Sequence, residues 1–108
     1  MRPDHIKEAR DQMSTSGVAV ILFVVDANTR TLVRPIKLET RGLAGLDEVR
    51  EMHRLIIKAV RQLYEETIAD IPDIEDKDLI KIIKKDLGAI IVSKFRRDPM
   101  IVPVLVTV

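Results

Sequence analysis

The most constraining stretch of this chain is residues 17–26, Gly-Val-Ala-Val-Ile-Leu-Phe-Val-Val-Asp, a β-branched run of strand length that is apolar at odd and even positions alike. A strand alternates its side chains between two faces, so Val18, Val20, Leu22 and Val24 go to one side and Ile21, Phe23 and Val25 to the other. A strand with one wet face needs apolar residues on one parity only; this one asks for cover on both. The end of the chain repeats the demand, with Val102, Val104 and Val106 opposite Ile101 and Leu105. Any fold of this sequence must place something against two faces of these strands.

The remaining elements limit what that something is. Residues 3–13 carry an early Pro3, acidic Asp4 and Glu8 and good helix formers, which predicts a short amphipathic helix or capping arm ended by Ser14-Thr15-Ser16-Gly17. Asp26-Ala27-Asn28-Thr29 is a turn, after which residues 31–38 read as a second strand with Leu32, Ile36 and Leu38 on one face and Lys37 on the other. The short connection predicts a β-hairpin. Arg41-Gly42-Leu43-Ala44-Gly45 breaks the pattern. Asp47 then stands as N-cap of a helix reaching about Ile68, with Val49, Met52, Ile56, Ala59, Val60 and Leu63 as its apolar stripe. The acidic stretch from Asp70 to Asp76, with Pro72 inside it, is a loop. Leu79, Ile83, Leu87, Ile90 and Ile91 mark a second long helix that stops before Asp98-Pro99, and residues 101–108 close the chain as a strand. The expected fold is α+β in two layers: a three-stranded sheet with two long helices on one face, preceded by the N-terminal helix or arm.

Two helices on one side leave the second sheet face open. Val18, Val20, Ile21, Leu22, Phe23, Val24, Val102, Val104 and Val106 are therefore candidate interface residues, with the parity undecided. Either a partner covers that face, a second copy being the simplest closed arrangement, or the N-terminal arm lies across it through Ile6 and Met13.

Composition excludes several functions. With 108 residues the chain is a single domain, able to bury roughly two thirds of its unfolded surface. It has no cysteine, which removes disulfides and thiolate metal sites and suits a reducing cytoplasm. The apolar run at 17–25 is far shorter than the ~20 residues that span a bilayer, so no membrane is expected. Lys plus Arg number 18 against 17 for Asp plus Glu, so no whole-molecule field steers nucleic acid. Phe23, Tyr64 and Phe95 are the only aromatic residues, too few for a base-stacking platform.

Three stretches together resemble the C-terminal domain of the ribonuclease J family of metallo-β-lactamase/β-CASP nucleases. They are the Gly-plus-apolar strand with its hairpin, the turn Thr40-Arg41-Gly42-Leu43 before a long helix, and the closing Phe95-Arg96-Arg97-Asp98-Pro99-Met100-Ile101-Val102-Pro103-Val104. The ending is the most specific of the three. Leu43 stands where the family usually has Phe, and Asp98 where another basic residue is common. The resemblance covers essentially residues 1–108. It implies a parent enzyme that hydrolyses RNA phosphodiesters in five-prime exonuclease and endonuclease modes with two zinc ions held by a His-x-His-x-Asp-His motif and further ligands. That motif does not occur here, so the expectation is an assembly and support domain with no catalytic, cofactor or metal residue of its own. Its partners would be a second copy and the parent's catalytic core.

The residues that bear chemistry each have a plain reading. His5 and His53 stand without ligand spacing around them and read as ordinary helix positions. Asp70, Asp73, Glu75, Asp76 and Asp78 lack the register and turn glycine of a calcium loop and read as a solvated acidic loop. Lys81, Lys84 and Lys85 share a helix face that, with Lys94, Arg96 and Arg97, either touches an RNA backbone or is a solvated flank complementing the helix dipole. Arg41 beside Gly42 either helps bind a phosphate or serves a structural turn. RNA binding of the isolated chain is expected to be weak and sequence-independent. A stand-alone nucleic-acid-binding module is the alternative to the assembly domain.

Overall fold

The computed structural model describes residues 17–43 and 46–108, and of Leu46 and Asp47 only the backbone. The predicted helix or arm at 3–13, with His5, Ile6 and Met13, lies outside the described residues. The elements run β1 (Val18–Val25), β2 (Lys37–Arg41), α1 (Leu46–Asp70), α2 (Asp76–Phe95) and β3 (Met100–Thr107). The sheet order is β2-β1-β3, with β1 antiparallel to β2 and parallel to β3. The most apolar strand thus takes the centre, where its backbone is paired on both edges. Pro103, which has no N–H, falls on an edge strand.

The predicted second strand is displaced. Its ladder covers Lys37–Arg41, and of the expected stretch 31–36 only Leu32 pairs, in an isolated bridge to Val25. Between the Leu22–Lys37 pair and the Val25–Leu32 bridge, two residues of β1 face four of the other segment, so the ladder is interrupted in a bulge, although the Val33 N–H still donates to the Val24 carbonyl (2.9 Å) and Ile36 turns into the core. Pro35 inside that bulge cannot donate to a ladder, which is the physical reason the strand restarts after it. The hairpin tip behaves as expected. The Asp26 carboxylate accepts from the N–H groups of Asn28 (2.8 Å) and Thr29 (2.9 Å), and these bonds hold its pKa below the ordinary value.

Both helices pack on the odd face of β1. Ala19, Ile21, Phe23 and Val25 are buried there with Ile101 of β3, Met52, Ile56, Val60 and Tyr64 of α1, and Leu79, Ile83, Leu87 and Ile91 of α2. The i, i+4 spacing on both helices is the expected stripe, extended by Tyr64, while Val49, Ala59, Leu63 and Ile90 lie half-buried at its margins. Helix α1 begins at Leu46, so Asp47 falls inside it rather than before it. Helix α2 stops at Phe95 because Arg96 turns left-handed (φ 58°) and its N–H closes on the Val92 carbonyl at 3.0 Å.

Two glycines set the corner from which β1 departs. Gly17 (φ 89°) and Gly42 (φ 72°) pass so close that a Cβ on Gly17 would lie 2.7 Å from the Arg41 carbonyl oxygen.

Arg30 locks the hairpin to the helices. Its guanidinium donates to the carbonyls of Pro72 (3.1 Å) and Ile74 (2.6 Å) and pairs with Asp76 at 3.0 Å. Its own carbonyl accepts from the Tyr64 hydroxyl at 2.5 Å. Of the predicted acidic loop only residues 71–75 connect the helices, Asp70 ending α1 and Asp76 and Asp78 standing in the first turn of α2, and this segment is a docking point for the hairpin as well as a solvated surface.

Candidate functional site

The parity left open by the sequence is resolved by the packing. Val18, Val20, Leu22 and Val24 alternate with the buried residues of β1 and stay half-exposed, on the face away from both helices. The register places Met100, Val102, Val104 and Val106 of β3 beside them, of which Met100 is 63% exposed. Lys37, Glu39 and Arg41 of β2 border the same face on its other side. The result is an apolar ladder of two strands with one charged edge. Ile21 and Phe23, named as candidate interface residues from sequence, do not belong to it: they are 0% and 1% exposed under the helices. An interface on the open face reaches them only by unfolding the core.

The flat footprint of this ladder is small. Eight residues at about 3.3 Å rise make it about 26 Å long, and two strands make it about 10 Å wide. A standard interface takes about 800 Å² from each partner, so contact here must recruit the charged edge as well.

The predicted basic cluster does not come together as one surface. Lys81, Lys84 and Lys85 are exposed on the outer side of α2. Arg96 lies about 16 Å or more beyond them along the helix axis. Arg97 is turned inward to pair with Glu48 of α1, Nε to Oε1 at 2.9 Å, and so ties the end of α2 to the start of α1. Lys94 instead faces a groove shared with Arg50, Arg54 and Lys58 of α1. Those three were missed because α1 was read for its apolar stripe; their spacing of four residues is legible in the sequence. Arg41 and Gly42, the pair considered for a phosphate, are both exposed at the end of β2, and Ala44 and Gly45 after them lie outside the described residues.

His53 is half-buried on α1, its Nε2 2.8 Å from the Thr40 hydroxyl of β2. That bond gives it a structural task, fastening helix to strand. Tyr64 is buried in the core, and burial pushes its phenol above the ordinary value.

The chain matches the Ribonuclease J C-terminal domain family over residues 6–108. It belongs to that family. No curated protein matches the chain. Among the described residues of this ribonuclease J C-terminal domain, no group of three or more His, Asp or Glu side chains could hold a metal ion. The two-zinc chemistry implied by the resemblance does not fit these residues, and no catalytic step is assigned to them. No helix among the described residues is long and apolar enough to cross a membrane.

Proposed function

We propose that this domain is the non-catalytic assembly and support module of a ribonuclease J-like RNA-degrading and RNA-processing hydrolase in the cytoplasm. In that reading it holds two copies, and with them the parent's zinc-bearing nuclease cores, in register. The observation that carries this is the apolar ladder of Val18, Val20, Leu22 and Val24 with Met100, Val102, Val104 and Val106, on which no described helix or strand packs. A second copy suits it because its edge, Lys37, Glu39 and Arg41, carries both signs of charge, so like patches can meet with opposite charges paired. Association through so small a footprint is weak and grows with concentration.

Sedimentation velocity across a concentration series from micromolar to near-millimolar tests it. The weight-average coefficient should climb toward that of a dimer; a chain that stays strictly monomeric at the top of the series overturns the reading.

A further inference from the structure

The outer side of α1 carries Arg50, Arg54, Lys58 and Arg61, at intervals of four, four and three residues, so the four stack in one stripe on the helix. At 1.5 Å per residue the stripe is about 16 Å long. All four are exposed, and the buried stripe of Met52, Ile56, Val60 and Tyr64 occupies a different side of the helix. Near the start of α1 the stripe walls a groove of about 540 Å³ with Lys94 and Phe95 from the end of α2; Leu55 is its other apolar residue and Glu51 its acid. Farther along, Arg61 enters a second groove of about 610 Å³, where Arg34 of the hairpin joins it and Glu65 is the acid.

These cations have no ion-pair or hydrogen-bond partner among the described residues, although Arg30 and Arg97 of the same chain are both paired. A row of closely spaced like charges repels itself, and a chain of regularly spaced anions relieves that repulsion. The net charge of the chain is only +1, so the row is a local concentration and not a share of a general excess.

We propose that the basic stripe of α1, with Lys94 at one end and Arg34 at the other, is a track for the phosphodiester backbone of RNA. The inference rests on reading the parent as an RNA-degrading enzyme and does not need the dimer. Contacts to phosphate oxygens fix position and carry no sequence information, so a track made of them holds RNA without reading its sequence. Its apolar residues, Leu55 and Phe95, can meet a base or ribose without specificity.

Fluorescence anisotropy with a labelled oligouridylate of about twenty nucleotides tests the assignment. The whole chain should bind at low salt, with a log–log salt slope no steeper than about −4 for six phosphates neutralised. At about 150 mM salt, where charges more than ~8 Å apart are screened, Arg54→Gln with Lys58→Gln should weaken binding at least tenfold. Lys81→Gln with Lys84→Gln removes the same charge from α2 and should change it less than threefold. An equal or larger loss from the α2 pair overturns the site, as does absence of binding at low salt. Displacement of the RNA by polyglutamate at matched charge concentration would make this an acidic-peptide site instead. Leu22→Asp, which removes the proposed dimer contact, should leave RNA binding intact; loss of binding in that variant would place the site at the dimer interface and refute the track on α1.

Discussion

The two faces of the sheet are built from one strand with one composition, yet they have different fates. On the covered face, Ala19, Ile21, Phe23 and Val25 are nearly inaccessible; on the open face, Val18, Val20, Leu22 and Val24 are only half-shielded. β1 cannot distinguish the two, because its apolar content is the same at both parities. The neighbouring strand does distinguish them. β2 sends half-buried Leu38 and Thr40 toward the helices and exposed Lys37, Glu39 and Arg41 toward the other side. An apolar residue is thus classified by what its cross-strand partners are, and the same valine reads as core or as surface accordingly.

The largest break in this comparison is a charge on the covered side. Phe23→Asp puts an unpaired carboxylate into a site that is 1% exposed, at a cost of several kcal/mol, comparable with the ~5 kcal/mol at the low end of domain stabilities. Circular dichroism should show no cooperative melt.

Truncations should grade the same contrast. Leu87→Ala removes a fully buried side chain from α2 and should cost about 2–5 kcal/mol in urea unfolding. Val104→Ala, on the open face at 38% exposure, should cost less than about 1 kcal/mol at concentrations where the chain is monomeric. Equal losses would erase the distinction between the faces.

A smaller effect tests the hairpin lock on the covered side. Tyr64→Phe deletes the hydroxyl that donates to the Arg30 carbonyl and should cost about 1 kcal/mol. Burial raises the folded-state pKa of this phenol, so its contribution is complete below the ordinary value near 10 and fades as pH climbs through the folded value. The wild type should therefore lose stability more steeply than Tyr64→Phe above about pH 10 in urea melts.

Much of this fold was legible because its signals are local and periodic. The i, i+4 stripes of both helices and the alternation of β1 need only side-chain spacing to be recognised, and the turn at Asp26 needs only the hydrogen-bonding habit of Asp. What was not legible is partly a local break hidden by a pattern and partly contacts between residues distant in sequence. The restart of β2 at Lys37 follows from a register shift around Pro35, which the alternation of Leu32, Ile36 and Leu38 conceals. The docking of Arg30 against Pro72, Ile74 and Asp76 spans more than forty residues. The pairing of Arg97 with Glu48 likewise removed a residue from the basic cluster that its sequence neighbours had suggested. The face assigned to Ile21 and Phe23 needed the helices in place before it could be known.

The most direct test of a sheet with one face for the core and one for a second copy is sedimentation velocity of Leu22→Asp at a concentration where the wild type has shifted toward dimer. Leu22 is half-exposed on the open ladder, so its carboxylate stays hydrated in the monomer and is desolvated only in the pair. The account predicts a folded protein, with a helix–sheet circular dichroism spectrum and a cooperative melt like those of the wild type, sedimenting as a monomer. A variant that still forms the dimer, or one that unfolds as Phe23→Asp does, would contradict it.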